Sequence, residues 1–144
     1  MTIRFRFTSV ATEQTSGVLA KASTRLEDWL NAAIGDADFG GGVDQFVLVA
    51  VSVDDDHEEN LRFANAHDKS GRYTNPFTGE RTSYVSKAVL LAPSAVVGKP
   101  PAAVLAALSA SAVAALALRP SRLPKDFDYA RCAKAVTAAL EAYA

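Results

Sequence analysis

Cysteine is nearly missing from this chain of 144 residues, where Cys132 stands alone. No internal disulfide can form, which excludes the small bridge-stapled scaffolds of secreted proteins and agrees with a reducing compartment. A signal-peptide pattern is missing as well. The opening "MTIRFRFTSV" alternates arginines with apolar residues and holds no apolar run of leader length, so a cytoplasmic location is expected. Long apolar runs are scarce. The one stretch of membrane-spanning length, "PPAAVLAALSASAVAALAL" from Pro100 to Leu118, is mostly alanine and contains Ser109 and Ser111. Alanine gains little on leaving water, so a helix buried in the core is expected there and no membrane partner.

Positive charge is missing from one long block. Residues 27–59 carry ten carboxylates and no Lys or Arg, a charge of −10, while residues 1–26 carry +3 and residues 60–144 carry +6. The net charge of −1 hides this segregation. Internal repeats and domain boundaries are not evident. A chain of this length buries roughly 70% of the surface its unfolded form exposes, enough for one core without metal or disulfide, so one domain over 1–144 is expected.

What is present reads as strands and helices in turn. "TIRFRFTSV" alternates Ile3, Phe5 and Phe7 with Arg4, Arg6 and Thr8, the period of a strand with one polar face. Leu19, Ala22, Leu26, Trp29, Leu30, Ala33 and Ile34 recur in steps of three and four and predict a helix, capped by Thr12 or Ser16 and stopped by a left-handed Gly35. "GDADFGGGVD" is a loop. "QFVLVAVSV" is a strand apolar on both faces, hence central in a sheet. Leu61, Phe63 and Ala64 suggest a short helix or strand. "RYTNPFTGERTSYV" reads as a hairpin around Asn75-Pro76 and Thr78-Gly79, with its second arm running on through "SKAVLLA" until Pro93. Pro100-Pro101 open the alanine-rich helix, and Asp126 caps a last helix whose stripe is Phe127, Tyr129, Cys132, Ala133, Val136, Leu140 and Tyr143. The expected class is α+β, a single-domain sandwich of a mainly antiparallel sheet with helices packed against it.

Candidate chemistry is weak at each place it is sought. "DDDHEE" offers oxygens and the His57 nitrogen to a metal, but the residues adjoin one another and no glycine follows until Gly71, unlike a Ca²⁺ loop. No metal and no cofactor are expected. His57 or His67 with carboxylates would suit a small hydrolase-type enzyme, yet neither has a Ser or Cys nucleophile in a recognisable local pattern. Cys132 falls on a packing stripe, where cysteine acts as a small hydrophobe. "FGGG" follows a helix and opens a strand, the reverse of a phosphate cradle, and permits a tight entry into the sheet instead. Arg119, Arg122, Lys125, Arg131 and Lys134 lack interleaved aromatics, and the pI of 6.1 speaks against nucleic acid as a partner.

The acidic block is the strongest lead. Clustered carboxylates repel one another, at about 0.2–0.5 kcal/mol for each close exposed pair. A dense negative surface has a use in docking a basic partner, such as a nuclease that carries a cationic groove for phosphates. Asp36, Asp38, Asp44, Asp54, Asp55, Asp56, Glu58 and Glu59 are the expected electrostatic contacts, with Tyr73 and Phe77 as aromatic anchors. A structural adaptor domain is the remaining alternative.

"IRFRF", "RLEDWLNAAIGDADFGGGVDQFVLVAVSV" and the closing "DFDYARCAKAVTAALEAYA" resemble bacterial polymorphic-toxin immunity proteins, including those of contact-dependent growth inhibition (the immunity protein 44 family). The shared pattern is a long first helix, an aromatic-glycine turn, an apolar strand, and a late pair of helices rich in alanine and leucine. Residues from Asp54 to Pro93 depart from it. The resemblance implies a cytoplasmic protein without catalytic residues that binds and neutralises a cognate toxin C-terminal domain.

Overall fold

In the computed structural model, which describes residues 2–10, 15–53 and 57–143 and not the side chains of Ser16, His57, Glu58, Asn60 and Leu61, the apolar periods resolve into four strands and four α-helices. In chain order these are β1 (Arg4–Val10), α1 (Ser16–Ala33), β2 (Gln45–Ser52), α2 (His57–His67), β3 (Lys69–Thr74), β4 (Arg81–Leu91), α3 (Pro101–Leu116) and α4 (Tyr129–Ala142), with a 3₁₀ turn at Pro93–Ala95. The class is α+β, and the sheet is mixed. Its strand order is β1-β2-β4-β3, with β1–β2 and β2–β4 parallel and only β3–β4 antiparallel. This corrects the mainly antiparallel expectation. The helix between β1 and β2 supplies the crossover that parallel pairing requires, and the apolar character of β2 on both faces is what a covered parallel strand needs.

The sheet's period of two sorts its faces. Phe5, Phe46 and Val85 stand in one row across the register, and Phe7 and Leu48 in the next, all buried. They meet Leu19, Leu26 and Leu30 of α1, Val104, Leu108 and Leu116 of α3, and Val136 and Leu140 of α4 in one continuous core. On the opposite face Val49 and Val51 are buried where α2, with its buried Ala64, runs past β2 and β4. The rest of that face, toward the start of β2 and the β3–β4 hairpin, carries half-buried and exposed residues.

Local signals are partly redirected by tertiary contacts. The α1 N-cap position is Thr15 and Thr12 lies outside the described residues, while Ile34 ends the helix. Gly35 does not take the left-handed conformation expected of it; a Cβ there would stand 2.8 Å from the Asn31 carbonyl oxygen. Asp128, not Asp126, caps α4 by accepting the Arg131 amide at 3.1 Å. Helix α3 buries only the stripe Val104, Leu108, Ala112 and Leu116, and leaves Ala102, Ala106, Ala110 and Ala114 exposed. Among the described residues no helix is long and apolar enough to cross a membrane.

Candidate docking surface

The uncovered part of the sheet follows directly from the register. Arg4, Gln45, Tyr84 and Gly71 form one row across the four strands on the outer face, and Arg6, Val47, Ser86 and Lys69 form the next, where Ser86 is already buried. Tyr84 lies over Gly71, where a Cβ would come within 3.0 Å of its hydroxyl oxygen. Tyr73 pairs with Thr82 one step nearer the hairpin tip. Arg6, Gln45, Val47, Tyr73, Thr82 and Tyr84 line a shallow depression of about 470 Å³.

The tip beside it is tightly built. Asn75 Oδ1 accepts the Phe77 amide at 2.9 Å and the Thr78 amide at 3.3 Å. The Asn75 amide donates to Glu80 O at 2.8 Å, and the Gly79 amide donates back to Asn75 O at 2.8 Å. This local network satisfies the turn's backbone without using the Phe77 ring. Phe77 is 95% exposed and Tyr73 is 57% exposed. A phenyl ring offered to water on an ordered turn contributes nothing to the core and is available for burial against a partner.

The described members of the expected carboxylate set fall at two ends of β2. Asp36 and Asp38 are exposed in the loop between α1 and β2, at the same end of the parallel strands as the hairpin tip. The Gly40 amide donates to Asp38 Oδ1 at 2.9 Å and holds that carboxyl below the usual carboxylate range. Arg131 donates from its guanidinium to the Asp38 main-chain oxygen and stacks its charge over the Phe39 ring at 5.0 Å. Asp44 is half-buried. Its Oδ2 accepts the Ser83 amide at 2.9 Å, so it fastens the start of β2 to β4. Glu59 lies beyond the other end of β2, exposed on α2, with Oε2 3.4 Å from Arg62 Nη1. Asp54, Asp55 and Asp56 lie outside the described residues, as does the side chain of Glu58. A strand of eight residues spans about 26 Å. Among the described carboxylates of the block, the strand therefore holds Asp36 and Asp38 apart from Glu59.

His67 gains little chemistry from the fold, and the side chain of His57 lies outside the described residues. The His67 ring sits 5.8 Å from the Phe63 ring at the end of α2. Its main-chain oxygen accepts the Ser86 hydroxyl at 2.5 Å. Among the described residues no group of three or more His, Cys, Asp or Glu stands placed to hold a metal ion. Cys132 is fully buried, and burial pushes its thiol up to about 12. The glycine run has a task that its sequence does not reveal. Gly40, Gly41 and Gly42 all have φ between +66° and +82°, and Gly40 and Gly41 press against Asp126 and Phe127. The Asp128 amide donates to Phe39 O at 2.8 Å across the same contact.

The residues missed by sequence reasoning are Arg6, Gln45, Val47 and Thr82. Strand periodicity marks Arg6 as outward, but the face that stays uncovered depends on where the helices dock. Comparison of the chain with protein-family models, with curated proteins and with solved structures returns no match.

Proposed function

We propose that this chain is an immunity-type binding protein that neutralises a cognate toxin domain, with no catalytic step of its own. The observation that carries this reading is Phe77, held 95% exposed on an ordered hairpin tip beside the outer sheet face. Tyr73 and Phe77 are the anchors. Asp36 and Asp38, at the same end of the sheet, steer a basic partner toward them, and Arg6 and Gln45 supply the polar rim. The resemblance of "IRFRF", the first helix with its glycine turn, and the final helix to polymorphic-toxin immunity proteins supports a toxin as the partner. A cytoplasmic site of action accords with that role.

The test starts from the neighbouring open reading frames: where one encodes a large secreted protein, its C-terminal domain is produced jointly with this chain. Co-purification of a stable complex, together with rescue of growth when the toxin domain is expressed, is the expected result. Growth arrest that persists with the chain abundant and folded contradicts the proposal.

A further inference from the structure

The segment joining α3 to α4 curves around an open surface cleft of about 760 Å³ lined by residues 119–127. Arg119, Arg122 and Lys125 line it and are exposed, and among the described residues none has a carboxylate within 4.0 Å. Asp126 is the one acid in that wall. Three cations around one hollow repel each other, and a freely moving loop would let them separate.

This loop is braced instead. The Tyr129 hydroxyl lies 3.1 Å from Leu116 O and 3.2 Å from Leu118 O, which fixes the chain just before Arg119. The Ser70 hydroxyl donates to Arg122 O at 3.0 Å. Leu123 packs on the core, Phe127 is buried, and the Phe127 amide donates to Pro124 O at 3.3 Å. Pro120 and Pro124 fix two more backbone torsions. Ordering the backbone that carries the donors before binding removes part of the entropic cost of collecting them around a ligand. Ser70 belongs to β3, whose Lys69 and Arg72 are likewise without a carboxylate partner, so the neighbouring strand edge adds positive potential.

The chemistry of the wall selects the ligand. Two guanidinium forks and an ammonium match phosphate oxygens, which accept paired N–H donors. The cleft is open to solvent, so it suits a small, highly charged ligand held by its charge rather than by apolar burial. Phe127, the aromatic in the wall, is buried and offers no stacking platform for a base, which disfavours a nucleic-acid strand. We propose that the 119–127 cleft binds a small ligand carrying two or more adjoining phosphate groups, with Arg119, Arg122 and Lys125 as the donors. It uses neither Tyr73 nor Phe77 and stands apart from toxin docking through the hairpin tip.

Titration of the isotope-labelled protein with inorganic pyrophosphate, followed by amide chemical shifts, tests this. Saturable shifts should centre on residues 119–127 and on Lys69–Arg72 of β3, with pyrophosphate binding at least about tenfold more tightly than monophosphate. Arg122→Ala and Lys125→Ala should each weaken binding about tenfold, the effect of losing one charge-assisted hydrogen bond. Asp126→Asn keeps a residue that tolerates the φ of +66° and removes the opposing charge, so it should tighten binding. Lys21→Ala, on α1, should change nothing. No saturation by about 10 mM, a weak affinity even for a single ion contact, overturns the proposal. Equal binding by Arg122→Ala, shifts centred elsewhere, or tighter occupation of the cleft by a short single-stranded oligonucleotide overturns it as well.

Discussion

Gly40 and Gly42 share left-handed backbone angles but not surroundings, and the pair separates two costs. At Gly40, with φ +82°, a Cβ would stand 2.5 Å from the Asp126 carbonyl oxygen, whereas at Gly42, with φ +66°, it would meet nothing within 4 Å. Gly42→Ala should therefore lose only the backbone penalty, about 1–2 kcal/mol. Gly40→Ala should lose that and the docking of the α4 entrance, at least about 3 kcal/mol, read from denaturant midpoints. Equal losses would show that the contact with Asp126 carries no energy. The glycines were visible in the sequence as a turn, but their purpose was not, because Asp126 and Phe127 lie far along the chain. Cys132 was legible as a packed residue from its place on the α4 stripe. Burial raises its folded-state thiol from 9.0 to about 12 and shifts the Tyr129 hydroxyl in the same direction. The folded state thus holds these protons more tightly than the unfolded chain. Their contribution to stability is complete below about pH 9 and is lost as pH rises toward about 12. A pH series of unfolding free energies should bend downward above pH 9; a flat line through that window contradicts the burial of both groups.

Among the elements, edges explain what the apolar pattern alone does not. The outer edge of β1 is closed by a side chain: Asn31 of α1 donates from Nδ2 to Phe5 O at 2.7 Å and accepts the Phe5 amide on Oδ1 at 2.9 Å, as a further strand would. Asn31→Ala strips both partners from a backbone unit at a sheet edge and should cost about 2–3 kcal/mol. Thermal unfolding would check this, and a loss under about 0.5 kcal/mol would mean that water replaces the side chain fully. The mid-chain shows the opposite limit of sequence reasoning. The hairpin from Lys69 to Leu91 follows from its turn residues, yet α2 was left between helix and strand because its apolar positions are too few to fix a period. Strand direction was also missed. Alternation in β1 and continuity in β2 each had a local meaning, but parallel pairing is decided by the α1 crossover. The Lys87–Asp68 ion pair, 2.9 Å apart with the lysine side chain 3% exposed, ties the α2–β3 link to the core face and carries no signal in a single sequence.

Over the described part of the molecule, carboxylates that lie close along the chain stand at separate ends of β2. Ten carboxylates in residues 27–59 suggest one acidic face, but β2 places Asp36 and Asp38 at the hairpin end and Glu59 at the other. Arg4 and Arg6 stand on the same outer face as Tyr73 and Tyr84. Electrostatic steering of the toxin domain should therefore be modest. Asp36→Asn combined with Asp38→Asn should slow association several-fold at low ionic strength, with the difference gone by about 0.5 M salt, where the screening length is about 4 Å. A steep dependence on salt that survives this double change would place the steering elsewhere. The aromatic anchors should set the affinity instead. Calorimetric titration of the toxin domain against the native chain, a Tyr73→Ala/Phe77→Ala variant and a Glu58→Gln/Glu59→Gln variant weighs the two ends of the sheet directly. Loss of about 30-fold or more in affinity for the aromatic pair, with near-native binding by the glutamine pair, is the predicted result. Near-native binding by the aromatic pair, with the loss confined to the glutamine pair, would contradict docking through the hairpin.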